Sequence, residues 1–88
     1  MTAQSDLSPS RGLLPLSLAS PGQSLRIVEI QQRESVRQRL AALGLSRGAS
    51  IRILQSNPGS PLIVAVKSDS RLVIGLGTAH HILVTQEQ

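Results

Sequence analysis

The spacing of apolar residues changes along this chain, and each change predicts an element. From Leu25 to Ile30 the run LRIVEI carries apolar, mostly β-branched side chains at Leu25, Ile27, Val28 and Ile30 and predicts a strand. The polar stretch QQRES then breaks the pattern. From Val36 the spacing lengthens: Val36, Leu40 and Leu43 stand at i, i+4 and i+7 and predict a helix with one narrow apolar stripe. Ser35, followed three residues later by Gln38, predicts a capping box that starts this helix at Val36. Gly44 predicts its end, because glycine enters the left-handed conformation of a Schellman cap without steric penalty. Leu45 then packs back on Leu40. Alternation returns with Ala49, Ile51 and Ile53 set against Ser50, Arg52 and Leu54. LIVAVK from Leu62 and RLVIGLG from Arg71 predict further strands, with turns at NPGSP and SDS between them. Thr78 predicts the cap of a single helical turn through Ala79, His80 and His81, before a short last strand from Ile82 to Val84. Ahead of all this, Leu16 and Leu18 alternate with Ser17, and Pro21 and Gly22 make a turn. The predicted fold class is mainly β with one short α-helix: a small, strongly bent β-barrel of about five strands.

The helix with its flanks, RQRLAALGLSRG, looks like the first half of a DNA-binding helix-turn-helix. That motif needs a second helix a few residues on, to lie in the major groove. Here the period-2 run ASIRILQ follows instead, so the sequence excludes it.

Composition sharpens this reading. The chain has 88 residues and no cysteine, phenylalanine, tyrosine or tryptophan. Disulfides and thiolate zinc sites are therefore excluded, and stability has to come from aliphatic packing in a small core. Residues 1–15, rich in Ser, Pro and Gly, predict a flexible N-terminal tail, and residues 16–85 the folded domain. The formal net charge is +4, but the basic residues are scattered from Arg11 to Arg71, and without an aromatic ring there is no stacking platform for bases. Nucleic acid is not an expected partner. No apolar run approaches the roughly 18 residues of a membrane span, and the N-terminus lacks the features of a secretory signal, so a cytoplasmic location is expected.

Candidate chemistry is sparse. His80 and His81 are adjacent, so their side chains diverge, and no cysteine and few carboxylates could complete a metal shell. They are expected to form no metal site. No nucleophile stands beside a base, and the GLG of Gly75–Gly77 lacks the third glycine of a dinucleotide loop, so no catalytic residue and no cofactor is expected. What remains is surface. The small, weakly polar helix face of Gln38, Ala41 and Ala42, with Arg37 and the turn at Leu45 and Arg47, is the expected protein-contact region. Arg39 beside the apolar stripe is expected to be structural, its stem covering core methylenes and its head bonding loop carbonyls.

Beyond these readings, LSLASPGQSLRIVEI, RQRLAALGLSRGASIRIL and SPLIVAVKSDSRLVIGLGTAHHILV together resemble the FeoA family of small cytoplasmic accessory proteins of bacterial ferrous iron transport. The resemblance runs from Leu16 to Val84. Its most specific element is RLAALGLSRGASI, in which Arg39, Leu40, Leu43, Gly44, Leu45 and Gly48 match the family's motif positions. It implies an SH3-like barrel, no catalytic activity, and contact with FeoB, the membrane transporter that carries a cytoplasmic GTPase domain, at the cytoplasmic membrane face. The partnering surface and self-association stay open, as does the alternative of a regulatory or nucleic-acid-associated module related to the C-terminal SH3-like domains of iron-dependent repressors.

Overall fold

In the computed structural model the chain is a single curved sheet closed on one side by a helix; residues 12–67 and 70–87 are described. The strands are β1 (Leu14–Pro15), β2 (Ser24–Ile30), β3 (Ser50–Gln55), β4 (Leu62–Val66), β5 (Arg71–Ile74) and β6 (Ile82–Gln86). All pairings are antiparallel, in the order β1-β6-β2-β3-β4-β5. No pairing joins the ends of this order among the described residues, so the sheet curls like a barrel of the SH3-like kind without closing. A 3-10 turn (Leu16–Leu18) follows β1, helix α1 (Glu34–Ala42) joins β2 to β3, and the one-turn helix α2 (Leu76–Ala79) joins β5 to β6.

Two β-bulges bend the sheet, and both answer the same problem. Inward positions in β2 start at Leu25 and Ile27, so strict alternation would next drive Glu29 into the core. Instead the β2–β6 register passes from Ile27↔Val84 to Glu29↔Leu83, leaving Val28 as an extra residue and turning Ile30 inward. In β3 the register passes from Ile53↔Val64 to Gln55↔Ile63, with Leu54 extra and Gln55 kept exposed. One unpaired backbone position is less costly than a buried, unpartnered carboxylate or amide, and each bulge sharpens the local twist.

The core is wholly aliphatic, as the composition demands. Leu16, Leu25, Ile27, Leu45, Ile53, Leu62, Val64, Ile82 and Val84 are fully enclosed, and no buried residue among those described is polar or charged. Each such side chain contributes roughly 1.5–3 kcal/mol on leaving water.

Several boundaries differ from the sequence expectation. Helix α1 starts at Glu34, not Val36, and Arg33 in its N-cap position makes no side-chain cap bond. Ser35 lies exposed inside the first turn, while Gln38 Nε2 donates to Glu34 Oε2 at 3.2 Å, so the expected capping box is absent. Glu34 in the first turn carries a charge that suits the helix dipole. Leu43, expected in the core, is 48% exposed. The helix has already ended there, and Leu45, beyond the turn, takes the inward place. The RLVIGLG strand stops at Ile74, and α2 starts at Leu76 on a Gly75 N-cap, one turn earlier than a Thr78 cap would set it. Leu16–Leu18 form the 3-10 turn rather than a strand, with Leu16 buried and Leu18 68% exposed. Most of the expected tail, residues 1–11, lies outside the described residues, as do Ser68 and Asp69 of the SDS turn. Leu14 and Pro15 of that stretch pair with Val84 and Leu83.

The end of α1 follows the Schellman pattern. Gly44 has φ +97°, its N–H donates to Ala41 O at 3.0 Å, and the Leu45 N–H reaches back to Leu40 O at 2.9 Å. Leu45 and Leu40 are both buried, which anchors the helix to the sheet.

Candidate functional site

Residues of α1, of β2 and of the turn at Ser46–Arg47 together line a shallow groove of about 780 Å³. Its position follows from the bulge: Val28, the extra residue, lines the groove together with Ala41 and the otherwise buried Ile30. Charged groups rim this apolar strip, with Glu29 and Glu34 providing carboxylates and Arg37 and Arg47 guanidiniums. The turn bearing Arg47 is fixed to β2. Gly48, with φ +86°, donates its N–H to Ile27 O at 2.7 Å, Ile27 N–H donates to Ala49 O at 2.9 Å, and Ala49 N–H closes the turn on Ser46 O at 3.0 Å. Glu34 is engaged by Gln38, whereas Arg37 and Arg47 have no hydrogen-bonding or ion-pair partner among the described residues. Among the described residues the groove therefore offers unpaired cations beside an apolar floor, an arrangement suited to protein contact.

Of the expected contact residues, the structure brings Arg37, Gln38, Ala41 and Arg47 together here. Ala42 is exposed but does not line the groove. Leu45 must be removed from the contact set, because it is fully buried and serves as the apolar half of the helix cap. Arg39 is exposed and bonds no carbonyl among the described residues, so its expected structural role is not seen. Sequence reasoning missed Val28, Glu29, Ile30, Glu34 and Ser46. A signal was available for the first three: Glu29 falls on the inward phase set by Leu25 and Ile27, which forces a bulge beside it.

A second depression, about 760 Å³, lies between the Ser20–Gln23 and Asn57–Ser60 turns and α2. His80 and His81 stand on its edge with ring centroids 5.7 Å apart, edge to face. His81 Nδ1 lies 2.9 Å from Gly77 O and His80 Nδ1 lies 3.5 Å from Ser17 Oγ, so each ring has its own local partner. Among the described residues no group of three or more His, Cys, Asp or Glu side chains is placed to hold a metal ion. No helix among them is long and apolar enough to cross a membrane.

The fold is a small SH3-like sheet with a charge-rimmed groove beside its nine-residue helix. Residues 14–86 match the model of the FeoA domain, and the chain belongs to the FeoA family. That family consists of small accessory proteins of ferrous iron transport. A crystal structure of an iron uptake regulatory protein, FeoA, is 36% identical, with 85% of this chain and 99% of that chain covered at a TM-score of 0.79. The solution structure of FeoA from Chlorobium tepidum is 29% identical over 85% of this chain and 71% of that one, with a TM-score of 0.76. A manganese-dependent transcriptional repressor shares the fold alone, at 21% identity and a TM-score of 0.74, over 85% of this chain and 42% of its own. No match is found among the curated proteins.

Proposed function

We propose that this chain serves bacterial ferrous iron uptake in the cytoplasm as a non-catalytic accessory that binds the membrane transporter FeoB, through the groove between α1 and β2. The observation that carries this reading is the pair of unpartnered guanidiniums, Arg37 and Arg47, over a floor of Val28, Ile30 and Ala41. A partner that places carboxylates on both arginines and an apolar side chain between them would satisfy the two guanidiniums and cover the apolar strip. The small side chain of Ala41 lets that partner approach the helix backbone closely.

The test is co-purification with detergent-solubilised FeoB, in each nucleotide state of its GTPase domain. Wild type should be retained, and Arg37→Glu/Arg47→Glu should lose retention by at least about tenfold, since like charges then face the partner's carboxylates. Ala42→Arg, on the same helix but outside the groove, distinguishes use of the groove from use of the whole exposed helix face. Retention of the double variant at the wild-type level would reject the groove. Absence of wild-type retention in every nucleotide state would reject the FeoB partnership.

A further inference from the structure

The outward face of β3, β4 and β5 is divided into two rows. The strand register aligns Arg52, Ala65 and Arg71 across three strands. With neighbouring strands about 4.8 Å apart, the two arginine Cα atoms stand roughly 10 Å from each other across the small Ala65. Lys67, exposed at the end of β4, extends this basic row. One register step along, Ile63 pairs with Val73, and Leu54, pushed out by the β3 bulge, lies beside them. Val73 is 70% exposed and Leu54 39%, among the most exposed large apolar side chains described. Arg52, Lys67 and Arg71 have no ion-pair or hydrogen-bond partner among the described residues. Among the described residues, Glu87 lines the same depression as Arg52 and Lys67, and it is engaged by Arg26 at 3.4 Å and by Ser50 Oγ at 2.8 Å.

From this we infer that the β3–β4–β5 face docks on an anionic phospholipid surface, its arginines and Lys67 among the headgroup phosphates and Leu54, Ile63 and Val73 at the boundary with the acyl chains. A row of cations next to a row of aliphatic side chains is the surface chemistry of peripheral membrane contact. The face carries a shallow depression of about 300 Å³ at its basic end, too small to seat an extended acidic peptide along its length. Nucleic acid fits less well, because the apolar row has nothing to meet on a phosphate backbone and the chain has no aromatic residue for stacking. The face shares no residue with the α1–β2 groove, so membrane contact is independent of the partner reading above.

Partition of the full chain onto phosphatidylcholine vesicles with and without phosphatidylglycerol tests this at low salt. Wild type binds the anionic vesicles and barely the neutral ones, and added salt weakens binding. Arg52→Gln/Arg71→Gln lowers partition about 25-fold, at roughly fivefold for each basic residue near the surface. Arg33→Gln/Arg39→Gln, which removes the same net charge from the exposed helix, lowers it less than about threefold, since screening confines the effect to charges near the lipid. Val73→Ser weakens binding further. All the substituted side chains are exposed, and far-ultraviolet circular dichroism verifies each fold. Equal losses in the two arginine pairs, equal binding to neutral vesicles, or no effect of Val73→Ser would each overturn the inference. So would a concentration-dependent dimer broken by Val73→Ser with no vesicle binding, which would assign the face to a second copy of the chain.

Discussion

Replacing Gly44 isolates the contribution of one backbone angle. Its φ of +97° lies in the left-handed half of conformational space, and the two backbone bonds that end α1 depend on it. An added Cβ would stand 3.6 Å from Val66 Cβ and Cγ2, which is ordinary contact, so any penalty comes from the backbone rather than from a clash. For alanine the left-handed conformation costs roughly 1–2 kcal/mol. The loss of backbone freedom in the unfolded chain offsets about 0.4–1 kcal/mol of this. A net destabilisation of about 1 kcal/mol is expected for Gly44→Ala, lowering Tm by about 4–8 °C in a domain of this size. Gly44→Asn should lose less, because asparagine tolerates the region, and Gly44→Val more, because a β-branched residue tolerates it least. Urea and thermal unfolding followed by far-ultraviolet circular dichroism measure the series, since the chain has no aromatic reporter. If Ala and Asn are indistinguishable from wild type, or if Val is no worse than Ala, the positive φ at Gly44 does not hold the helix cap.

Other substitutions separate burial from exposure and strain from freedom. Leu45→Ala, at a fully buried position, should lose roughly 2–5 kcal/mol, whereas Leu43→Ala at a half-exposed one should lose less than about 1 kcal/mol in the same melts. Gly77→Ala, inside α2 with no positive φ and open space around the new methyl, should gain about 0.5–1 kcal/mol. Glu87→Gln, which breaks the exposed Arg26 pair, should lose less than about 1 kcal/mol, and added salt should shrink the difference.

The fold was legible where one local rule decides. Alternation located β3, a short apolar run between turn signals located β4, and the glycine at position 44 located the helix end, because a left-handed cap has few other solutions. Misplacement occurred where two rules compete. Leu43 fits the helical stripe by spacing, but the cap turns the chain so that Leu45 reaches the core first. Ser35 and Gln38 fit a capping box by spacing, but Gln38 bonds Glu34 one turn back. The groove was half legible, since the exposed helix residues Arg37, Gln38 and Ala41 are visible from periodicity. Its β2 wall was not, because the wall exists only through the bulge at Val28, and a bulge is a choice between a buried charge and a broken register. The family motif identified the chain without locating that groove.

The proposed role of this FeoA-family chain in ferrous iron uptake rests on contact through the α1–β2 groove. It is tested most directly by uptake of radiolabelled ferrous iron in cells that lack the native chain and carry either wild type or Arg37→Glu/Arg47→Glu at equal protein level. Wild type should restore uptake and the double variant should not, with both proteins equally folded. Full restoration by the double variant would contradict the groove, and normal uptake in cells carrying neither would contradict the role in iron transport itself.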